Sequence, residues 1–244
     1  MRTIPSRLSA ASTRMGRTAF PFIFIPVAIA VAQPAPPKTD DKSCVGVVSA
    51  AGDTLATTKL GFFSNEENRF PIDAWHIDDI VFDKIASALG RRTNVKRISV
   101  PKGSFAVLEQ DHGPFYSPDE DIRAVLQRIT ASAKCAQYIA VVKTSLQFKN
   151  SQRVDGLGIQ AAGGQYYLWA LFTVELHDGR SLALIAKYPP SIGVNFLGRK
   201  QMPSREVDAT WWPTSNAQQN TKLRDGLRAL VEKGLDGSLS DLSK

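Results

Sequence analysis

The stretch that most constrains this chain is CAQYIAVVKTSLQF, Cys135 to Phe148, an unbroken apolar and β-branched run with a cysteine at its entrance. Its centre, Tyr138-Ile139-Ala140-Val141-Val142, alternates too little for a strand with one wet face, so both faces need cover. The run therefore reads as the central strand of a sheet with helices packed on it.

The residues before it supply those layers. Cys44 to Ala50, CVGVVSA, is a first strand, and Gly52-Asp53 turns the chain into Thr54 to Phe63, a second strand or hairpin partner. Ser64 to Arg69, SNEENR, reads as a loop. Asp73 is placed to cap a helix through Leu89, with Ile77, Ile80, Val81, Ile85, Ala88 and Leu89 at helical spacing and Gly90 as its stop. Val95 to Val100 is a short strand ended by Pro101. Ser117-Pro118-Asp119-Glu120 has the spacing of a capping box, and its helix should run to Ser132 over Ile122, Val125, Leu126 and Ile129.

After the central strand, Lys149 to Gln165 is a glycine-containing connection that reads as strand ends around a mobile tip. Tyr166 to Leu176 and Ser181 to Tyr188 flank an Asp178-Gly179 pair and form a long hairpin. Both faces of Tyr166 to Leu176 are apolar, so one should lie on the helices while the other needs a second layer, from Trp211, Trp212 and the last helix in the leading reading, or else from a partner chain or a ligand. Ile192 to Pro213 is irregular by pattern, and Asn220 to Lys233 is that helix, with Gly234 as its stop. The pattern gives an α+β or α/β fold over residues 43–244. It is a single domain with one mixed sheet, two crossover helices, the hairpin and the final helix.

The amino terminus carries four arginines and no acid, then the apolar run Ala19 to Ala32 ending in Ala30-Val31-Ala32. That is the pattern of a secretory signal peptide over residues 1–32, and a membrane anchor would need roughly 20 apolar residues without prolines. Its removal leaves 212 residues with a net charge of +3 in place of +7. The basic pI therefore owes much to a discarded segment and implies no nucleic-acid partner. Residues 33–42, QPAPPKTDDK, read as an extended leader. The expected compartment is the periplasm or the exterior, with no membrane span after cleavage.

The only cysteines are Cys44 and Cys135, each opening an expected strand. If those strands are parallel neighbours, their starts lie within bridging distance, and an oxidising compartment favours a disulfide.

No sequence pattern specifies chemistry. His76, His112 and His177 share no metal-ligand spacing, and each falls where a solvated histidine is ordinary, so no metal or cofactor is expected. Gly156, Gly158, Gly163 and Gly164 lack the dinucleotide fingerprint and precede a strand where a helix is needed, so they read as a flexible tip open to a partner. Ser99-Val100-Pro101-Lys102 matches the S-x-x-K of acyl-serine enzymes, but Pro101 follows a strand where that motif must open a helix, and Ser145 replaces the glycine of K-T-G. Ser99, Lys102, Asp111 and His112 are nonetheless the candidates for a dispersed hydrolase or ligand site at the end of a strand. Asp119, Glu120 and Asp121 are explained by helix capping, and Arg91, Arg92, Lys96 and Arg97 by a solvated strand and turn.

The order of elements resembles the fold group containing the TolB amino-terminal domain and the lipoproteins of curli secretion and penicillin-binding-protein activation. The residues that carry the resemblance are CVGVVSA at Cys44, the helix and strand from Asp73 to Val100, CAQYIAVVK at Cys135 and VELHDGRSLALI from Val174. WHIDD at Trp75, GLGI at Gly156 and TWWP at Thr210 also resemble small exported proteins of unassigned function in soil α-proteobacteria. No lipobox precedes Cys44. The resemblance implies a periplasmic scaffold or accessory role, with an envelope protein as partner, and transfers no functional residue.

Overall fold

The computed structural model describes residues 44–61, 65–110, 116–147, 153–191, 202–213 and 219–242. The expected signal peptide, the leader, and both Asp111 and His112 lie outside the described residues.

The expected central strand is β5, Gln137–Lys143, and it occupies the middle of a five-stranded sheet. One neighbour is β1, Cys44–Ser49, running parallel with Val45 opposite Gln137 and Ser49 opposite Val141. β1 in turn pairs in parallel with the edge strand β4, Asn94–Arg97. The other neighbour is the antiparallel β10, Phe172–Asp178, followed outward by β11, Leu184–Tyr188. The order is thus β11-β10-β5-β1-β4.

Both faces of β5 are buried, as its composition demands. Ile139 and Val141 face the larger core with α1, Ile77–Leu89, and α3, Thr221–Leu242. Tyr138, Ala140 and Val142 face a second core with α2, Asp119–Ile129. Gly46 in β1 makes this possible, because a Cβ there would lie 2.5 Å from the Tyr138 ring.

The expected disulfide is present. Cys44 and Cys135 stand at the starts of parallel neighbours with Cα atoms 4.8 Å apart, and they form a bond across 91 residues.

The single-sheet expectation is corrected: the described residues form three sheets. A second five-stranded sheet has the order β12-β9-β8-β2-β3, and a two-stranded one joins β6 to β7. The ranges are Thr54–Leu60 for β2, Asn65–Pro71 for β3, Leu157–Ala162 for β8, Gln165–Ala170 for β9 and Ser204–Val207 for β12. β6 is Ser145–Gln147 and β7 is Arg153–Asp155. Two expected continuous strands are split between sheets. The central run breaks at Thr144, whose N–H donates to Leu171 O at 3.2 Å, and the hairpin strand breaks at Leu171, whose N–H donates to Gly156 O at 2.8 Å. Hydrophobicity runs unbroken through both points because both halves are buried, so pattern alone could not show the change of sheet.

Four local expectations also fail for identifiable reasons. SNEENR belongs mostly to β3, an edge strand paired with β2 whose side chains from Glu66 to Arg69 are exposed, which explains its loop-like polarity. Asp73 opens a short 3-10 turn and pairs with Lys102 at 2.8 Å instead of capping; α1 starts after His76, whose φ of 54° reorients the chain. Ser117 does not cap α2, because the helix begins one residue later with Pro118 at the cap position and ends at Ile129. Gly234 does not stop α3. It lies inside the helix, where Pro203 and Phe172 approach to 2.8 and 3.1 Å of where a Cβ would be. The two layers expected over β9 and β10 are arranged differently: Leu168, Ala170, Phe172 and Val174 share one core with both α1 and α3, against which Trp211 and Trp212 pack, while Trp169 and Leu171 on the other face pack with Ala56 and Val154.

Candidate functional site

The crossovers leaving β1 and β4 are covered by α1 and α2 on opposite faces of the first sheet. In such sheets the carboxyl ends of the parallel strands are where ligands tend to bind. Lys143 ends β5 there with 7% of its side chain exposed. Its ammonium meets the Asp53 carboxylate, the Thr54 hydroxyl and, at 2.7 Å, Glu109 Oε1. Three N–H donors facing three oxygens leave no free donor and no lone pair, so the group acts as a clasp and not as a nucleophile.

Arg69 from β3 extends this clasp across all three sheets. Its Nη2 lies 2.8 and 3.0 Å from the two Asp155 oxygens and 2.8 Å from Glu67 Oε1, while Nη1 donates to Glu109 Oε2 at 3.3 Å. Partial burial pulls the guanidinium pKa down, but the hydrogen bond and charge of Asp155, with Glu109 and Glu67, outweigh it and hold the group above its ordinary range. The cluster was visible in sequence only as a lysine closing an apolar strand, a position that requires buried partners.

Two of the four glycines read as a partner-facing tip instead build this cluster. Gly156 and Gly158 are buried. A Cβ on Gly156, which has φ 55°, would lie 2.8 Å from the Lys143 stem. One on Gly158 would lie 2.2 Å from the Trp169 ring, whose Nε1 donates to Asp155 O at 3.1 Å. Gly163 and Gly164 are exposed in the β8–β9 turn with φ of 57° and 83°, and a Cβ there would meet nothing within 4 Å.

Asp78 in the first turn of α1 closes the end of β1. Its Oδ1 accepts from Ser49 Oγ, from Ala51 N at 3.1 Å and from Gly52 N at 3.2 Å. Burial pushes its carboxyl pKa up further than these donors pull it down. The folded protein therefore holds this proton more tightly than the unfolded chain, and this contribution to stability falls as pH rises through the interval between the ordinary and the raised value. Asp78→Asn should remove that slope. In thermal melts from acid to neutral pH, the variant should gain on the wild type as pH rises; a constant difference across the range would contradict it.

The dispersed site around Ser99 is not assembled by its described members. Ser99 is exposed on the segment after β4, with no helix following, and Lys102 pairs with Asp73 across an exposed surface. Among the described residues no group of three or more His, Cys, Asp or Glu could hold a metal ion. His76 is exposed with Nδ1 3.0 Å from Asp79 Oδ2.

His177 corrects the expectation of a solvated turn residue, being 1% exposed on the α2 side of β10. Thr173, Glu175 and His177 alternate along this strand opposite Val142, Ala140 and Tyr138 of β5. His177 Nδ1 lies 3.1 Å from Leu182 O and Nε2 3.1 Å from Glu175 Oε2, while Glu175 Oε1 lies 2.8 Å from Lys187 Nζ. Lys187 also reaches Asp119 of α2 at 3.1 Å. Burial pulls the Lys187 pKa down, but Glu175 and Asp119 hold it above its ordinary range. This second charged network fixes the hairpin onto α2.

The hairpin's outer strand is different in character. β11 ends the first sheet and, among the described residues, pairs only with β10. Leu184 and Ile185 on it are 38% and 53% exposed, two of the three exposed large hydrophobics found among the described residues. No described helix is long and apolar enough to cross a membrane.

No protein family matches the chain, and no curated protein sequence does. Among solved structures, a hypothetical protein of Chlamydia trachomatis overlaps 83% of this chain and 94% of its own, at 10% identity and a TM-score of 0.34. A Helicobacter pylori protein, provisionally designated a neuraminyllactose-binding hemagglutinin homolog, overlaps 86% of this chain and 93% of its own, at 11% identity and a TM-score of 0.33. At these scores the two likenesses carry no argument about this chain, which is placed by its own geometry: a disulfide-bonded α+β protein with two closed charged clasps and an exposed apolar strand edge.

Proposed function

We propose that this chain is an exported accessory or binding protein of the bacterial envelope that works through protein contacts and not through catalysis. The observation that carries the reading is the β11 edge. An unpaired strand edge offers a row of main-chain donors and acceptors, and natural proteins usually blunt such an edge with charge or cover. Here it carries Leu184 and Ile185 exposed. A partner strand added along β11 would satisfy the main chain and bury both side chains.

Export is supported by the arginine-led apolar amino terminus and by the use of both cysteines in one bond. An accessory role agrees with the resemblance to the TolB and curli-lipoprotein fold group. The charged clusters favour it too, since the partners of Lys143 and Arg69 lie within the protein.

The test is a crosslinking pull-down of the tagged protein from periplasm, comparing wild type with Leu184→Asp/Ile185→Asp. A reproducible envelope partner should be captured by the wild type and lost, at least tenfold, in the variant. Equal capture by both would refute the edge as the contact. Light scattering that shows a dimer dissociated by the same variant would assign the edge to self-association.

A further inference from the structure

The opposite end of the first sheet presents a different surface. β4 pairs with β1 and with no other strand among the described residues. Four inter-strand gaps separate it from β11, about 19 Å at the usual spacing. Between the carboxyl-terminal half of α1 and β4 lies an open cleft of about 520 Å³. Phe82, Ala86 and Ser87 of the helix form one wall, and Arg91, Thr93 and Val95 form the turn and the strand side. Arg97 lies 4.4 Å over the Phe82 ring and pairs with Asp79.

The charge at the near end is unbalanced. Arg91 and Arg92 are exposed, and neither forms an ion pair with a described residue. They follow the carboxyl end of α1, whose dipole amounts to roughly half a negative charge. Two guanidinium charges exceed that and leave a positive field at the mouth of the cleft.

An unpaired edge strand with a helix packed on its face and a cleft of mixed polar and apolar lining between them offers an extended peptide both main-chain pairing and a side-chain recess. From these features we infer that the α1–β4 cleft receives an extended acidic peptide from a partner protein. The peptide main chain continues the sheet beyond β4, one large apolar side chain enters between Phe82 and Val95, and a carboxylate pairs with Arg91 or Arg92. This surface is independent of the β11 edge, so either can stand if the other fails.

The probe is a displayed library of random ten-residue peptides, selected against the protein purified from periplasm with its disulfide intact. Selected peptides should combine several acids with a large apolar residue. A synthetic peptide made from the strongest of them should bind at least tenfold more weakly to Arg91→Glu/Arg92→Glu and to Ser87→Trp, which plugs the cleft. Its binding should weaken with salt, and it should slow amide exchange in β4. Circular dichroism verifies the fold of each variant, and the double arginine variant, altered only at exposed positions, stands alone if Ser87→Trp fails to fold.

Selection of no such peptide, or of peptides whose binding survives the arginine variant, overturns the inference. If no peptide is selected but the arginine variant abolishes binding to vesicles containing phosphatidylglycerol, the surface belongs to anionic lipid. If the arginine variant abolishes a concentration-dependent dimer, it belongs to a second copy.

Discussion

Replacing Cys44 and Cys135 together by alanine, or reducing their bond, lowers stability by about 4 to 5 kcal/mol on the chain-entropy scale for a loop of this length. The closed loop spans 91 residues and contains both crossovers, so its release returns most of the first sheet's connectivity to the unfolded ensemble. Packing adds little to that figure, because both cysteines are small and sit buried in the α2 core beside Val48 and Ala140. Urea unfolding of the oxidised protein and of Cys44→Ala/Cys135→Ala measures the difference directly. A loss under 1 kcal/mol would mean that the reduced unfolded chain retains the contact by other means.

The second large effect belongs to Glu175. Its side chain is 1% exposed and lies between His177 and Lys187. Both ring nitrogens of His177 face acceptors, Leu182 O and Glu175 Oε2, so filling both contacts requires a proton on each nitrogen or one on the carboxyl. Glu175→Ala leaves an imidazole nitrogen without its partner in the core, and a buried group left unsatisfied in this way costs about 1 to 3 kcal/mol. Lys187 is 38% exposed and recovers water or Asp119, so most of the loss comes from His177.

Glu175→Gln should cost less, about 1 kcal/mol on the scale of one altered hydrogen bond. Its amide N–H can donate to Nε2 of a neutral His177 that keeps its Nδ1 proton on Leu182 O, while its carbonyl accepts from Lys187. Thermal and urea unfolding of the two variants separate the cases. Equal losses would show that charge, not hydrogen-bond satisfaction, holds the network.

The elements that were legible in sequence are those whose signal is local. β5 announced itself by a two-faced apolar run, and the disulfide followed from two cysteines at the starts of strands that prove to be parallel neighbours. The second and third sheets were illegible because β9 and β6 share uninterrupted runs with β10 and β5 of the first. Nothing in Trp169-Ala170-Leu171-Phe172-Thr173 distinguishes the residue at which pairing passes from β8 to β5. Glycine was misread in two places for one reason: Gly158 and Gly234 are selected by the close approach of Trp169 and Phe172, whereas a sequence shows only the flexibility that glycine permits.

The charged clasps were hidden for a different reason. Lys143, Asp53, Glu109, Arg69 and Asp155 come from five separate elements or their flanking turns, and no spacing links them. Glu175 and His177 were closer to legible, since positions two apart on a strand share a face and both lie opposite buried residues of β5. The assignment of His177 to a turn removed it from that face. The β11 edge was legible as a hairpin, but its exposure depends on which strand ends the sheet, a tertiary fact.

Binding along β11 is tested most directly by a photo-crosslinking amino acid placed at Ile185 in living cells. One reproducible adduct with an envelope protein should form from Ile185, and none from Glu66, which is exposed on β3 in the second five-stranded sheet. No adduct at Ile185, or the same adducts from both positions, would contradict it.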